Sequence, residues 1–228
     1  MMKTRLQKIN NRIRRAADGC GRDPSEIKLV AVSKTMPPER VKAAIDAGAD
    51  TFGENYIQEA REKFNTLSAY PVSWHFIGHL QTNKAKYAVR LFDLIHSVDS
   101  LKLARELNKF AGKIDKRQNI LIQVNIGKEE TKSGIHSEDL RHLIEDTSRL
   151  ENLSIKGLMT MPPYFNAPEK VRPFFRTLHD LRNQLRSKVP ENVSLDELSM
   201  GMTGDFEVAI EEGATLVRIG TAIFGERD

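Results

Sequence analysis

Eight short apolar runs alternate with helical patterns along this chain of 228 residues. Each of the first seven runs is followed by a segment with the spacing of an amphipathic helix. Strands that alternate with helices pair in parallel through right-handed crossovers, and eight such units favour closure into a barrel. The predicted strands are Lys28–Ser33, Asp50–Gly53, Ser73–Ile77, Leu94–Ser97, Ile120–Val124, Ile155–Thr160, Glu197–Met200 and Leu216–Ile219.

The pattern predicts the α/β class, with a single (β/α)8 TIM-type barrel preceded by an extra N-terminal helix. The length is close to the roughly 250 residues of such barrels, so we expect residues 1–228 to form one domain. An open doubly wound sheet is the alternative, but the first strand leads to no glycine-rich dinucleotide motif. The eighth strand meets the end of the chain almost at once. The seven intervening helices are predicted at Pro38–Ala47, Tyr56–Leu67, Asn83–Leu91, Ser100–Phe110, Ser137–Leu150, Pro168–Ser187 and Asp205–Glu212.

Charge and composition exclude several classes of partner. The 35 basic residues are nearly balanced by 31 acidic ones, which does not favour nucleic acid. The one basic cluster has an apolar stripe at helical spacing, so we interpret it as the solvated face of the first helix, with a polyanion-binding arm as the alternative. The cluster consists of Lys3, Arg5, Lys8, Arg12, Arg14 and Arg15, and the stripe of Leu6, Ile9, Ile13 and Ala17.

No apolar run is long enough to cross a bilayer and no signal-peptide pattern is present, so we expect a cytoplasmic protein without a membrane partner. The single cysteine, Cys20, excludes an internal disulfide and is interpreted as a loop thiol. Because no apolar patch or coiled-coil pattern is evident, we expect a monomer.

The segment that follows the seventh strand has the composition of a phosphate-binding turn. Gly201 and Gly204 allow the backbone to approach an anion, and Ser199 and Thr203 supply hydroxyl groups. The helix that follows directs unpaired N–H groups and its positive dipole end to the same place. A plain turn with a helix cap is the alternative interpretation.

A lysine ends the first strand. If Lys34 points into the barrel, so do Val30 and Val32, and β-branched residues are common in barrel interiors. On the eighth strand Arg218 shares a face with Gly220, and an inward arginine avoids burial among outward apolar contacts. A solvated strand end for the lysine and a core ion pair for the arginine remain the alternatives.

A partly buried amine beside a cation has a lowered pKa and condenses with aldehydes. Together with a phosphate turn, Lys34 therefore indicates a phosphorylated aldehyde, and pyridoxal 5′-phosphate meets both demands. Arg218 is then the candidate partner of the pyridine nitrogen. Because an arginine does not give up a proton, the ring nitrogen stays largely neutral, which disfavours strong carbanion chemistry.

Other polar residues have less specific interpretations. Asn55 follows a strand and is either a site residue or a helix cap. His75 and His79 are four apart, but no further ligand stands nearby, so we predict no metal site. The polar segment Asn125–Gly134 is a candidate rim, and its Lys132 is a candidate transfer lysine or a solvated side chain.

Several motifs in a fixed order resemble those of the pyridoxal phosphate homeostasis proteins, which are similar to the N-terminal barrel of bacterial alanine racemases. The resemblance runs from about Leu6 to Glu226. The segments that carry it are Val30–Thr35, Phe52–Tyr56, Trp74–Lys84, Leu198–Asp205 and Val217–Gly225.

The resemblance implies pyridoxal phosphate bound as a Schiff base on Lys34, with Asn55 near the ring and Arg218 facing the pyridine nitrogen. It also implies a protein that buffers the cofactor and delivers it to apo-enzymes, without an established reaction of its own. No catalytic residue is predicted. The full set of predicted cofactor-binding residues is Lys34, Asn55, Ser199, Met200, Gly201, Thr203, Arg218, Gly220 and Thr221.

Two enzymatic alternatives remain. A racemase-like enzyme of this barrel type needs a further acid or base across the ring, usually from an added domain or a partner subunit. The chain ends at Asp228 soon after the eighth strand, which disfavours that reading. A Schiff-base aldolase acting on a sugar phosphate also joins lysine and phosphate, but it would be colourless.

Overall fold

Eight parallel strands close into a barrel in the order β1 to β8. The computed structural model describes residues 1–129, 132–190 and 193–225. Two residues of the predicted rim, Glu130 and Thr131, and the C-terminal Glu226 and Asp228 lie outside the described residues. The strands are β1 Lys28–Val32, β2 Thr51–Glu54, β3 Ser73–Phe76, β4 Leu94–Val98, β5 Gln118–Gln123, β6 Leu153–Met159, β7 Glu197–Ser199 and β8 Leu216–Ile219.

Each predicted strand is present within one or two residues of its expected bounds, and the (β/α)8 barrel is confirmed. An open doubly wound sheet was the wrong alternative, because β8 pairs with β1. The helices of the described chain are α1 Met2–Gly19, α2 Pro38–Asp46, α3 Ile57–Thr66, α4 Ala85–Leu91, α5 Leu101–Gly112, α6 Leu140–Ser148, α7 Arg172–Arg186, α8 Phe206–Glu211 and α9 Thr221–Phe224.

Several details of the helices differ from the sequence analysis. The helix α4 begins at Ala85 instead of Asn83, and Thr82–Lys84 forms a 3-10 turn ahead of it. The helix α6 begins at Leu140 instead of Ser137, and Pro168–Lys170 forms a separate 3-10 turn ahead of α7. The sequence analysis predicts no helix after the eighth strand, whereas α9 follows β8 directly. A helix of four residues is too short for an apolar periodicity to reveal it.

The pairing of β1 with β8 brings the two ends of the chain together. Val30 is opposite Arg218, and Ala31 is opposite Ile219. Side chains alternate between the two sides of each strand, so one set fills the barrel and the other packs beneath the helices. The interior cluster consists of Val30, Leu94, Leu121, Met159 and Leu216. The cluster beneath the helices includes Ala31, Val217 and Ile219.

The predicted apolar stripe of α1 is buried, with Leu6, Ile9, Ile13 and Ala17 in the core. This helix lies against α8 and α9, and the Arg12 Nε donates to Glu207 Oε1 at 2.6 Å. Five members of the basic cluster are exposed, as expected for the solvated face: Lys3, Lys8, Arg12, Arg14 and Arg15. The sixth, Arg5, is half-buried, and its Nη1 donates to the Ile223 carbonyl at 3.4 Å. Among the described helices, we find none with the length and apolar character needed to span a bilayer.

Candidate functional site

A cavity of about 320 Å³ opens at the carboxyl ends of the strands. This end carries the active sites of the barrel fold, and the volume is within the range of small-molecule sites. Its walls come from the loops after β1, β2, β3, β6, β7 and β8. The lining residues are Val32, Lys34, Met36, Asn55, Ile77, Met161, Tyr164, Phe165, Asn166, Met202, Thr203, Gly204, Asp205, Arg218, Gly220, Thr221, Phe224 and Gly225.

Six of the nine predicted site residues line this cavity. They are Lys34, Asn55, Thr203, Arg218, Gly220 and Thr221. The other three lie behind its wall: Ser199 and Met200 are fully buried, and Gly201 is buried where the chain turns away from β7. A Cβ on Gly201 would lie 2.5 Å from the Cβ of Ala209, and its φ of +89° is in the left-handed region, so glycine is required there.

The loops after β7 and β8 form the donor-rich side of the cavity. The Thr221 Oγ1 donates to the Thr203 Oγ1 at 3.4 Å, which brings the two loops together. Within residues 1–129, 132–190 and 193–225, the backbone N–H groups of Thr203, Gly204, Gly220 and Thr221 donate no hydrogen bond. Two hydroxyls and four backbone N–H groups without a described acceptor therefore belong to cavity-lining residues in the region where the sequence predicts a phosphate.

The Arg218 side chain is 4% exposed and lies inside the barrel, as predicted. Its Nη1 donates to Ser199 Oγ at 2.5 Å and its Nη2 to the Thr160 carbonyl at 2.9 Å. Burial lowers the pKa of Arg218 to about 10, an effect that the nearby Asp205 carboxylate opposes. No described carboxylate accepts a hydrogen bond from this guanidinium, so the alternative of a core ion pair is not supported.

Lys34 is half-buried and lies between two anchored neighbours. The Ser33 carbonyl accepts from Lys63 Nζ at 2.6 Å. The Thr35 backbone N–H donates to Glu59 Oε2 at 2.8 Å. Thr35 also has a φ of +64°, which a β-branched residue adopts only where its surroundings hold it. The backbone on both sides of Lys34 is therefore fixed by side chains from α3.

The anchor beneath Lys34 is a buried ion pair that the sequence analysis missed. The Lys63 Nζ donates to Glu54 Oε1 at 2.7 Å, and the Ser33 Oγ donates to the same oxygen at 2.5 Å. Glu54 is fully buried and Lys63 is 3% exposed. Burial raises the pKa of Glu54, and the ammonium of Lys63 opposes that shift. A lysine in the interior of an amphipathic helix was the only available signal.

Asn55 follows β2 and is half-buried at the cavity wall. The helix α3 has Tyr56 at its N-cap position and no side-chain cap, so the helix-cap alternative for Asn55 is wrong. The buried Asn55 Oδ1 has no hydrogen-bond partner among the described residues. Its backbone is packed closely against Gly78, where an added Cβ would approach the Asn55 carbonyl oxygen to 2.4 Å.

His75 and His79, which the sequence analysis considered as a pair, lie in different surroundings. His79 is exposed and its Nδ1 is 2.9 Å from the Ser133 Oγ, whereas His75 is buried in the barrel with His96. Among the described residues, no three His, Cys, Asp or Glu side chains cluster in the manner of a metal site. Sequence reasoning missed His96, because a single histidine in a buried strand carries no spacing signal.

Lys132 joins the candidate rim to the next loop. Its Nζ donates to the Pro162 carbonyl at 3.0 Å and lies 2.7 Å from Glu129 Oε1. The loop after β6, which carries Pro162, supplies the cavity residues Met161, Tyr164 and Phe165. The sequence analysis gave this loop no role. Met161 and Tyr164 are exposed at the mouth of the cavity, at 41% and 83%, whereas Phe165 is half-buried and lies against Phe174.

Comparison with known proteins gives concordant results. The family described as "Alanine racemase, N-terminal domain" matches residues 4–228. A relative named "Pyridoxal phosphate homeostasis protein" from Aquifex aeolicus (strain VF5) is 49% identical over 223 residues, which is 98% of this chain and 97% of the relative. The PipY protein of Synechococcus elongatus PCC7942, solved with PLP bound, is 35% identical with a TM-score of 0.87, covering 99% of this chain and all of that chain.

A more distant neighbour supports the fold alone. The alanine racemase of Clostridium difficile 630 is 15% identical, with a TM-score of 0.72. The match covers 96% of this chain but only 56% of the racemase. The two proteins thus share a barrel, and nearly half of the racemase chain has no counterpart in the match.

Proposed function

The chain belongs to the family of the alanine racemase N-terminal domain, and on that premise we propose that it binds pyridoxal 5′-phosphate and acts in intracellular homeostasis of this cofactor. In this proposal the protein buffers the cofactor and delivers it to apo-enzymes, and it has no strong catalytic activity of its own. The support comes from how well the residues of the cavity fit the cofactor, group by group.

The fit begins with the phosphate. Thr203 and Thr221 offer two hydroxyls within 3.4 Å of each other, and the neighbouring backbone N–H groups have no partner among the described residues. Such groups bind a dianion without a protein countercharge, since oriented N–H dipoles form an anion-binding concavity. Thr203, Gly220 and Thr221 would hold the phosphate, and Gly201 would hold the shape of the turn. Ser199 and Met200 would support this wall from behind.

The aldehyde would bind to Lys34. Bound pyridoxal phosphate supplies a reversible covalent bond to an amine and an electron-withdrawing ring. Lys34 provides that amine from a backbone fixed on both sides, and Asn55 presents a buried amide oxygen without a described partner in the same cavity. We propose a Schiff base on Lys34, which would shield the reactive aldehyde from other amines.

Arg218 would face the pyridine nitrogen. Its guanidinium has hydrogen-bond donors only and does not give up a proton. It would therefore not protonate the pyridine nitrogen, and the ring would not be kept cationic. Of the described cavity-lining residues other than Lys34, two have side chains suited to a second acid or base, Asp205 and Tyr164. The Asp205 Oδ1 accepts from the Met202 backbone N–H at 2.6 Å in the loop after β7, on the side proposed for the phosphate, and Tyr164 is 83% exposed. We therefore expect turnover of amino acids to be absent or very slow. Rapid racemisation of any free amino acid by the purified protein would contradict this.

One observation carries the proposal. Lys34 follows β1, Arg218 belongs to β8, and Thr203 and Thr221 belong to the loops after β7 and β8, yet all four line one cavity. The chain is also 35% identical, over 99% of its length, to a protein solved with PLP bound. An amine, a buried cation and a cluster of unpaired donors together match the three functional groups of this cofactor.

The decisive experiment is a visible spectrum of the purified protein with added cofactor, before and after borohydride reduction, followed by peptide mapping. We expect a visible absorption band that reduction removes, with the label on Lys34. The matched control is Lys42→Met, which removes a half-exposed lysine of α2 outside the cavity and should leave the spectrum unchanged. A label on any other lysine, or a colourless protein, would overturn the assignment.

Delivery needs a separate test. The cofactor-loaded protein is mixed with the apo-form of a pyridoxal-phosphate-dependent aminotransferase, and the recovery of transaminase activity is followed. We expect activity to recover to the level that free cofactor gives. If the loaded protein restores no activity, the delivery role is wrong, even where binding to Lys34 has been demonstrated.

A further inference from the structure

Four buried side chains form a continuous hydrogen-bonded row across the barrel interior. Arg218 Nη1 donates to Ser199 Oγ at 2.5 Å, and Ser199 Oγ is 2.8 Å from His96 Nδ1. His96 Nε2 is in turn 3.0 Å from His75 Nδ1. The row runs through β8, β7, β4 and β3, and none of its members is more than 6% exposed.

The two ends of the row face opposite ends of the barrel. Arg218 lines the cavity described above. His75 lines a groove beneath α1, which we call the amino-terminal groove and define by Leu6, Ile13, Lys28, Asp50, Ser73 and His75. The row is therefore a polar connection between the candidate cofactor site and the far side of the fold.

Hydrogen-bond capacity gives the row a direction. Arg218 has donors only, so Ser199 Oγ accepts from it. The Ser199 proton then has one described acceptor in reach, the Nδ1 of His96. With Nδ1 accepting, the neutral His96 ring carries its proton on Nε2 and donates to Nδ1 of His75. The opposite assignment leaves the buried Ser199 proton without an acceptor, which costs free energy.

We infer that Ser199, His96 and His75 are positioning residues that hold the Arg218 guanidinium toward the cavity through a hydrogen-bond chain of fixed direction. They act on the ligand only through Arg218, and the chain ends at the amino-terminal groove. The inference deepens the proposed function, because the ligand that Arg218 meets is the one proposed above. The chain itself depends only on the contacts within the protein.

Electrostatics agrees with this assignment. Burial lowers the pKa of His75 to about 4, and the charged groups that act on it are Asp93, Lys28 and Asp50. Burial, His75 and Arg218 together hold the pKa of His96 well below its ordinary value. Both rings are thus neutral at pH 7, and a neutral imidazole has one donor and one acceptor, as each position in the chain requires.

The test is nitrogen-15 NMR of the histidine rings in the cofactor-free, full-length protein at pH 7. We expect His96 and His75 both to carry the proton on Nε2, with an unprotonated, hydrogen-bonded Nδ1. The signals are assigned with His75→Gln and His96→Gln. A proton on Nδ1 of His96, or a doubly protonated ring at either position, would overturn the inference.

Ser199→Ala removes the link between the arginine and the histidines. The expected result is a shift of the His96 Nδ1 signal and a smaller shift at His75, with cofactor affinity about tenfold weaker, as for loss of one hydrogen bond to a charged group. The matched control is Ser97→Ala, a buried serine beside His96 whose hydroxyl has no partner among the described residues. Equal effects of the two variants on affinity would contradict a positioning role for Ser199.

The experiments can contradict the proposed function and the positioning chain independently of each other. If the cavity binds no pyridoxal phosphate, the ring tautomers of the free protein still test the direction of the chain. If the cofactor binds on Lys34 but the tautomers are reversed, the proposed function stands and the positioning chain is wrong.

Discussion

At the scale of single residues, the buried pair Glu54 and Lys63 is the feature that most directly sets Lys34 in place. Lys63 donates to the carbonyl of Ser33, and Ser33 donates to Glu54, so the pair holds the residue before Lys34 through both backbone and side chain. Breaking such a pair leaves one charge uncompensated in the interior, whereas replacing both members is often tolerated.

We predict that Glu54→Gln lowers the free energy of unfolding by about 3 kcal/mol, because the Lys63 ammonium then loses its buried countercharge. The double variant Glu54→Gln/Lys63→Met should recover a large part of that loss. Urea unfolding of each variant measures these changes in the free energy of unfolding. Lys42→Met, which breaks a half-exposed pair with Asp46, is the control and should change little. A double variant no more stable than Glu54→Gln would contradict the explanation.

His75 makes stability depend on pH. Its pKa in the folded protein is lowered to about 4, below the ordinary histidine value of 6.5, so the unfolded chain binds the proton more tightly. Protonation of His75 therefore costs no stability above about pH 6.5, and the free energy of unfolding falls as the pH decreases from there toward 4. The loss attributable to His75 is roughly 3 kcal/mol, since one pKa unit corresponds to about 1.4 kcal/mol.

Urea unfolding at several pH values between 7 and 4 measures this dependence. We expect His75→Gln to have a shallower fall than the unchanged protein. His142→Gln, which replaces an exposed histidine of α6, should retain the full slope. If His75→Gln and His142→Gln give the same slope, the buried ring is not the source of the pH dependence.

At the scale of elements, the strands could be predicted more completely than the contacts between them. The alternation of apolar runs and helices, together with Lys34 and Arg218 near opposite ends of the chain, was enough for the barrel and the inward faces. The partners of Ser199 were not predictable, because His96 lies on β4, far away in sequence, and only barrel closure brings the two side chains together. The helix α9 was missed because four residues give no periodic signal.

The ends of β2 and β3 fit closely, and this fit positions the cavity wall. A Cβ on Gly78 would lie 2.4 Å from the Asn55 carbonyl oxygen and 2.7 Å from its Cα, so the backbone would have to shift. We predict that Gly78→Ala costs about 1–3 kcal/mol in the free energy of unfolding, as overpacking does. It should also weaken cofactor binding, because Asn55 moves with its backbone.

Urea unfolding and a fluorescence titration with pyridoxal phosphate test this prediction. Gly19→Ala is the control: no atom lies within 4 Å of an added Cβ, and the residue is the last of α1. Alanine is the better helix former, so this variant should be as stable as the original or slightly more so. If Gly78→Ala binds the cofactor normally, the fit between the two strands does not position the site.

At the scale of the whole molecule, closure of the barrel is what joins the two halves of the candidate site. The amine follows β1, and the arginine and the threonines belong to β8 and the loops after β7 and β8, so a ligand held by all of them cross-links the first and last strands. A ligand that binds only the folded state stabilises it by an amount that grows with its concentration relative to its dissociation constant.

We predict that pyridoxal phosphate at about 100 times its dissociation constant raises the free energy of unfolding by about 2.7 kcal/mol, a shift that thermal unfolding detects. Pyridoxamine 5′-phosphate has the same ring and phosphate but no aldehyde, so at equal concentration it should stabilise less. In Lys34→Met the two compounds should become equivalent, because the covalent contribution is gone and the contacts of Arg218, Thr203 and Thr221 remain. Lys42→Met should keep the original difference between them. If the two compounds stabilise the unchanged protein equally, the aldehyde does not contribute, and the closed barrel would hold the cofactor through its ring and phosphate alone.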